Sequence, residues 1–245
     1  MNVRDMTLEE LVTRWEDRRE LQNLMGRYTY ALLLKQEKDI YNTFWCQKTA
    51  DPCLGLNDGY YKGRESVEGY YEALHQRNLL RTELIMEDFA QQTQEYTAQE
   101  LYGCGVLDHK PLGNQIIEIA GDGQTAKGFW YVVGKEDEYG ASGPLSYWTF
   151  GMFGVDFVWE EDQWRIWHLT YVEDIHTPCG ESWVDAPKKR PANPHYAPMA
   201  EFTLPEPNCP EQVHMLYRPD RPFTRSLPLP VGYRTFAETF SYGIQ

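Results

Sequence analysis

Long apolar runs are missing from the sequence. None approaches the ~18–20 residues that a membrane-spanning helix needs. The opening stretch, MNVRDMTLEELVTRWEDRRE, is charged throughout and lacks the apolar centre of a secretion signal. A soluble cytoplasmic protein with no membrane partner is expected. Basic residues are scarce, with 23 Lys and Arg against 37 Asp and Glu, a formal net charge of −14. Such a surface repels phosphate backbones, so nucleic acid is not an expected partner. The five cysteines are an odd number, contain no CxxC, and have their nearest pair, Cys46 and Cys53, seven positions apart. Reduced thiols fit this spacing better than a disulfide or zinc framework. No GxGxxG opens a helix, and there is no P-loop and no GxSxG elbow. Glu173, Asp174 and His176 lie close in sequence, but no spacing matches a recognised zinc site. No metal and no cofactor are expected.

Proline is rare before residue 178, since twelve of the fifteen prolines fall in 178–245. Its absence upstream leaves regular structure free to form. TLEE at Thr7–Glu10 has the form of a capping box. Leu8, Leu11, Trp15, Leu21, Leu24, Met25, Tyr28 and Leu32 then recur at three- and four-residue spacing, which predicts one long helix over 7–33. A short helix is expected around 39–45, a loop or irregular strand over 50–63, and a third helix over 63–78. Beyond it the period changes. Residues 96–109 read as extended. Residues 114–136 read as a strand, a Gly-Asp-Gly turn and a strand, and 145–174 as two long strands joined at Glu161–Asp162. Helices followed by an antiparallel meander give an α+β class, with N-terminal helices packed on one face of a curved antiparallel sheet.

The proline-rich segment keeps Phe202, Leu216, Tyr217, Phe223, Tyr233, Phe236 and Phe240, which need burial. It is expected to be an extended C-terminal arm, residues 177–245, wrapping its own domain (1–176) or a neighbouring subunit. Aromatics make up 14% of the chain, with 17 Tyr and 8 Trp. That content suits either a thick core or a pocket for a flat apolar ligand.

Three stretches resemble a known superfamily: RYTYALLLKQEKDIYNTF (27–44), GNQIIEIAGDGQTAKGFWYV (113–132) and FGVDFVWEEDQWRIWHLTYV (153–172). GYYKGRESVEGYYEAL also fits. Their order and spacing resemble the cone-shaped α+β barrels related to nuclear transport factor 2, in the SnoaL-like branch that holds scytalone dehydratase and bile-acid 7α-dehydratase. The resemblance covers about residues 7–176. It implies a deep, mostly apolar pocket, a homo-oligomer (dimer or trimer), and in many members dehydratase, isomerase or cyclase chemistry without a cofactor.

The dehydratase relatives use a Tyr and an Asp on the first helix and a His on the sheet. The Tyr falls on Tyr28. The Asp falls on Leu33, a departure that removes the carboxylate partner of the His. The His falls near Pro111, and His109 lies two residues earlier on the same face by alternation. His168 is a second candidate acid or base. On the last strand Trp164, Ile166, His168, Thr170 and Val172 share one face, and Arg165, Trp167, Leu169, Tyr171 and Glu173 the other. The sequence leaves open which face lines the pocket. At the position of Glu173 the bile-acid relative carries a functional Arg. Trp130, Tyr147, Trp148, Phe150 and Phe153 are strand aromatics, alternate ones of which would stack on a ring.

The expected catalytic set is therefore Tyr28 with His109 or His168, and the expected binding set is Trp130, Tyr147, Trp148, Phe153, Tyr171 and Glu173. The implied activity is a cofactor-independent lyase or isomerase acting on a hydrophobic cyclic or aromatic small molecule. A non-catalytic binding protein and an oligomeric interaction module of the same fold are the alternatives.

Overall fold

The computed structural model describes residues 6–140, 143–185, 204–224 and 226–244. Helix α1 spans Leu8–Leu33. Its capping box forms as expected: the Thr7 hydroxyl accepts from the Glu10 amide, and the Glu10 carboxylate accepts from the Thr7 amide. Burial on α1 begins only at Leu21. Leu8, Leu11 and Trp15, expected on the buried face, are exposed. The first turns dock instead through charge: Arg14 donates to the carbonyls of Ile119 and Ala120, and Arg18 to that of Ile117. Helix α2 is Glu37–Phe44, and α3 is Arg64–Asp88, about ten residues longer than its sequence period indicated. Its continuation buries Asn78, Arg81 and Thr82, polar positions that carry no apolar periodicity.

Among the described residues, eight strands form one sheet. The stretch 50–63, read as loop or irregular strand, forms a hairpin of two short strands, β1 (Cys53–Leu56) and β2 (Gly59–Lys62). The extended reading of 96–109 holds only for β3, Leu107–His109; the preceding residues form a series of turns. Strands β4 (Leu112–Ile119), β5 (Thr125–Gly140), β6 (Gly143–Glu160) and β7 (Gln163–Pro178) make the antiparallel meander. Glu161 and Asp162 both take positive φ, 52° and 58°, the geometry of a tight two-residue hairpin. The sheet is mixed rather than wholly antiparallel, because β1 runs parallel to β7. A final short strand, β8 (Cys209–Pro210), pairs with β2.

The two sheet faces are covered differently. Helices α1, α2 and α3 cover one, over a core that includes Tyr28, Trp45, Tyr71, Trp130, Phe153, Phe157 and Leu169. The described part of the proline-rich arm covers the other, where Leu227 and Tyr242 pack on Phe129, Met152 and Val172. Phe202, one of the arm aromatics, lies outside the described residues. Gly154 is required by this packing, since a Cβ there would meet the Tyr242 ring at 2.4 Å. At the centre of the arm-covered face sits a fully buried ion pair, Lys127 with Asp156. The Lys127 ammonium lies 4.4 Å from the ring centre of Phe240 and 4.6 Å from that of Phe236, both in the arm. Burial pulls the Lys127 pKa down, and Asp156 opposes that pull. Asp156 also accepts from the Ser241 hydroxyl and the Tyr242 amide, so one carboxylate fastens the arm's end to the sheet.

This arrangement predicts that Asp156→Ala, which strands an ammonium in an apolar layer, costs about 3–5 kcal/mol. Urea unfolding of the full chain measures it. The double variant Lys127→Met/Asp156→Leu is expected to recover part of that loss, and not all, because Ser241 and the Tyr242 amide lose their acceptor.

Candidate active site

The helix-covered side of the sheet encloses a cavity of about 650 Å³. Its walls follow from local periodicity. On α3, Tyr70, Leu74 and Arg77 are spaced by four and three residues and form one stripe into the cavity. Tyr28 and Leu32 of α1, four apart, face them, and Leu54 and Leu56 of β1, Phe153 of β6 and Leu169 and Tyr171 of β7 complete the apolar lining. The arm contributes the rim, including Gln212, His214 and Leu216.

One region of the lining is densely ionisable: Asp108, Lys110, Glu136, Glu173 and His176. Two β-bulges on β7 place the last two. Asp156 and Phe157 of β6 pair with His168 and Ile166, leaving Trp167 as an extra residue. Further on, Gly151 and Phe150 pair with Glu173 and Ile175, leaving Asp174 extra. Each extra residue reverses the alternation. Trp164 and Ile166 therefore join the helix-side core together with Leu169 and Tyr171, and Glu173 is followed into the cavity by His176.

The Glu173 carboxylate accepts from the Tyr171 hydroxyl at 3.1 Å and lies 2.8 Å from His176 Nδ1. The ring of Tyr147 rests against His176, with centroids 4.6 Å apart. Single ligand atoms of Glu136, Glu173 and His176 all lie within 4.8 Å of one another. The neighbouring pair Lys110 and Asp108 is in ion-pair contact. Burial pushes the Glu173 pKa up, but the His176 hydrogen bond and charge, with Lys110 and Tyr171, outweigh it and leave it lowered. Glu136 goes the other way. Burial raises it, Lys110 opposes, and the charges of Asp108 and Glu173 add to the rise. Lys110 loses to burial but gains more from Asp108, Glu136 and Glu173, so it stays protonated. Farther along the cavity, the hydroxyls of Tyr28 and Tyr71 are 3.0 Å apart, and burial holds both phenols well above their usual range.

The structure gathers some of the sequence-derived site residues and scatters others. Tyr28, Phe153, Tyr171 and Glu173 line the cavity, with Phe153 and Tyr171 rings 4.6 Å apart. Tyr147 is buried against His176. Trp130 is a buried core residue edge-on to Phe157, outside the lining. Trp148 lies under the Lys135 ammonium, 5.0 Å from its ring centre, and is also outside the lining. His109 is exposed, because its neighbours Asp108 and Lys110 take the cavity side and alternation turns it away. His168 falls on the arm-covered face, where Nδ1 is 2.9 Å from Asp156 Oδ2 and 3.1 Å from Ser241 Oγ. The first bulge puts it there.

Sequence reasoning passed over Asp108, Lys110, Glu136 and His176. Two signals pointed to them. DHK, residues 108–110, alternates acid and base around the expected His, and EDIH, residues 173–176, groups carboxylates with an imidazole. The second was weighed only as a zinc motif. As donors, Glu136, Glu173 and His176 could also hold a divalent cation, but the Lys110 ammonium already supplies a positive charge beside both carboxylates. The arrangement lowers the pKa of one carboxyl, raises that of another, and places an imidazole beside the first.

A group whose pKa is raised by folding stabilises the native state below its unfolded value and loses that contribution as pH rises through the folded one. Glu136→Gln is therefore expected to gain thermal stability relative to the wild type as pH rises from the ordinary glutamate value of about 4.3. Melting temperatures across a pH series measure this, and a constant difference would contradict the raised Glu136.

Comparisons with other proteins place this architecture. The SnoaL-like domain family matches residues 13–170, the helices and the sheet as far as β7. Among solved structures, the chain is similar to hexachlorocyclohexane dehydrochlorinase LinA-type3 from Novosphingobium barchaimii at 14% identity, covering 70% of this chain and 95% of that one, with a TM-score of 0.46. It is similar to an NTF2-like protein with a cystatin-like fold from Novosphingobium aromaticivorans at 16% identity, covering 69% and 91%, with a TM-score of 0.43. No curated protein matches in sequence. Among the described residues no helix is long and apolar enough to cross a membrane. That segment holds nearly all of the helices and most of the sheet, and the chain belongs to the SnoaL-like domain family.

Proposed function

We propose that the chain is a cofactor-independent lyase or isomerase that moves protons on a hydrophobic cyclic or aromatic small molecule held in the cavity. The observation that carries this reading is the group Glu136, Glu173 and His176, within 4.8 Å of one another, with Glu136 pushed up and Glu173 pushed down. Opposite shifts on adjacent carboxyls assign an acid and a base. The His176–Glu173 pair is the base. The carboxylate bond to Nδ1 fixes the ring and stabilises the imidazolium that forms. Glu136, its pKa raised by burial, is the acid. In a dehydration, the C–H bond next to the substrate carbonyl breaks and its proton passes to the His176–Glu173 pair. The electron pair forms the C=C bond, the C–O bond breaks, and the oxygen leaves as water with the Glu136 proton. The Tyr28–Tyr71 hydroxyl pair, still protonated, donates to the carbonyl oxygen as negative charge builds on it. An isomerisation uses the same groups, with Glu136 returning a proton to carbon.

A second reading, ligand binding without turnover, is favoured by Leu33, which stands where the dehydratase relatives carry a helix carboxylate. The homo-oligomer implied by the resemblance belongs to the proposal, and light scattering of the full chain reads it.

Glu173→Gln and His176→Ala are expected to lower turnover of a β-hydroxy cyclic ketone by about 10²–10⁴-fold, and Tyr28→Phe to lower it less. The pH–rate profile should rise at a value below the ordinary glutamate range, where Glu173 ionises, and fall above that range, where Glu136 does. Unchanged turnover in Glu173→Gln would remove the catalytic assignment and leave the binding reading.

A further inference from the structure

Among the described residues one cavity cation stands in no ion pair, although its charge reaches Asp108. Lys110 is engaged by Asp108. At the rim, Arg218 is paired with Asp220, and Arg221 donates to the Leu216 carbonyl. Arg77 differs. It lines the cavity from the Tyr70–Leu74–Arg77 stripe of α3, and its Nε is buried with no hydrogen-bond partner. Among the described residues no carboxylate lies within ion-pair distance of it. A buried guanidinium N–H without an acceptor costs desolvation that nothing returns. The cost is recovered if a ligand brings the acceptor.

The surroundings say which acceptor. Tyr70 sits one helical turn before Leu74 and two before Arg77 on that stripe; burial raises the pKa of its phenol, and the charges of Arg77 and Lys110 pull against that rise. Both cations therefore act on the space around that hydroxyl. Apart from the ionisable group already described, the cavity wall carries Leu32, Leu54, Leu74 and Phe153. A single open guanidinium with one phenol beside it matches a singly charged planar carboxylate. A phosphate dianion would call for more than one uncommitted cation.

We propose that Arg77 binds the carboxylate of an aromatic or alicyclic acid, and that this makes hydrophobic ring carboxylates the substrate class of the cavity. The inference rests on the cavity being the reacting site, as argued above, but it concerns binding and is read without turnover. Arg77 holds the anionic end in the α3 wall. The ring lies among Tyr28, Leu74 and Phe153, and its reacting carbon is offered to the Glu136–Glu173–His176 group. Arg77 is in this scheme a specificity-determining residue and takes no proton.

The experiment compares 2-naphthoate with its neutral isostere 2-naphthamide by isothermal titration calorimetry, on the full chain, as wild type, Arg77→Gln, Arg77→Lys and Glu173→Gln. The wild type is expected to prefer naphthoate by about 10- to 100-fold, and the preference should shrink as salt is added. Arg77→Gln should erase the preference while leaving naphthamide binding in place, which also shows that the variant is folded. Arg77→Lys should restore part of it. Equal affinity of the wild type for the two probes, binding of neither, or a preference that survives in Arg77→Gln overturns the proposal. If Arg77→Gln fails to fold, the wild-type ratio and its Arg77→Lys counterpart decide alone. A preference kept in Glu173→Gln, with no turnover of any ring acid by the wild type, supports Arg77 and removes the catalytic reading.

Discussion

The structure depends on two extra residues in one strand. Strand β7 carries Trp167 and Asp174 beyond what its partner β6 can pair, and each reverses the sense of inside and outside. Without the first, His168 would share a face with Trp164 and Ile166 and enter the helix-side layer. With it, His168 turns to the arm and Leu169 and Tyr171 turn to the cavity. Without the second, Glu173 would be followed on its face by Ile175. With it, His176 comes round to meet Glu173 at 2.8 Å. The second bulge acts on the arm as well. Asp174 Oδ1 lies 2.8 Å from His214 Nε2, and the Asp174 carbonyl accepts from the Tyr217 amide. One irregularity thus brings Glu173 and His176 together and anchors the segment that forms the rim of the cavity.

The arm explains how a sheet with a cavity on one side stays closed on the other. Its described residues return to the sheet at several points along their length. Asn208 exchanges two hydrogen bonds with Lys62, the Val213 amide donates to the Asn57 carbonyl, the Gly121 amide donates to Tyr233, and Tyr242 sits on Asp156. Proline suits this course. A segment that neither helix nor sheet ladder claims loses little by giving up amide donors, and its restricted φ lowers the entropy lost when it is laid down. The aromatics it carries shield Lys127, a charge that otherwise could not persist at full burial.

How far the sequence could be read follows from the same physics. Helices α1 and α2, the Thr7–Glu10 capping box, the Glu161–Asp162 hairpin and the helix-then-meander order were legible, because each is set by residues near one another in the chain. The length of α3 was not, because past residue 78 its buried face is polar. The site was half legible. Tyr28 was placed by the resemblance, on a helix face that period also marks as apolar, and Phe153 stood among strand aromatics of which alternate ones were expected inward. Tyr171 and Glu173 could be placed only as a pair on a face of unknown side. His109 and His168 were drawn to the pocket by chemistry, and strand geometry took both away. A period-two reading assumes every residue on a strand has a partner. A bulge is a property of two strands together, and neither β6 nor β7 announces it alone. Gly151, the partner of Glu173 beside the second bulge, is the nearest thing to a local mark: a Cβ there would meet the Val172 carbonyl at 2.3 Å.

The departure at Leu33 takes on a different meaning in this geometry. A helix-borne carboxylate beside a sheet-borne imidazole is one way to put the two halves of a proton relay in contact. It depends on how the helix lies across the sheet. Here both halves stand on the same strand, three residues apart, and their contact is fixed by the β6–β7 ladder. The helix is then relieved of charge and can close the cavity with Leu32. The cost appears on the sheet, where three carboxylates converge. Lys110 offsets part of it, and Glu136 carries the rest: burial first, and then the charges of Asp108 and Glu173, raise its pKa. Glu136 and Glu173 thus take opposite shifts within one cluster on the sheet, and no carboxylate on the helix is needed to produce them.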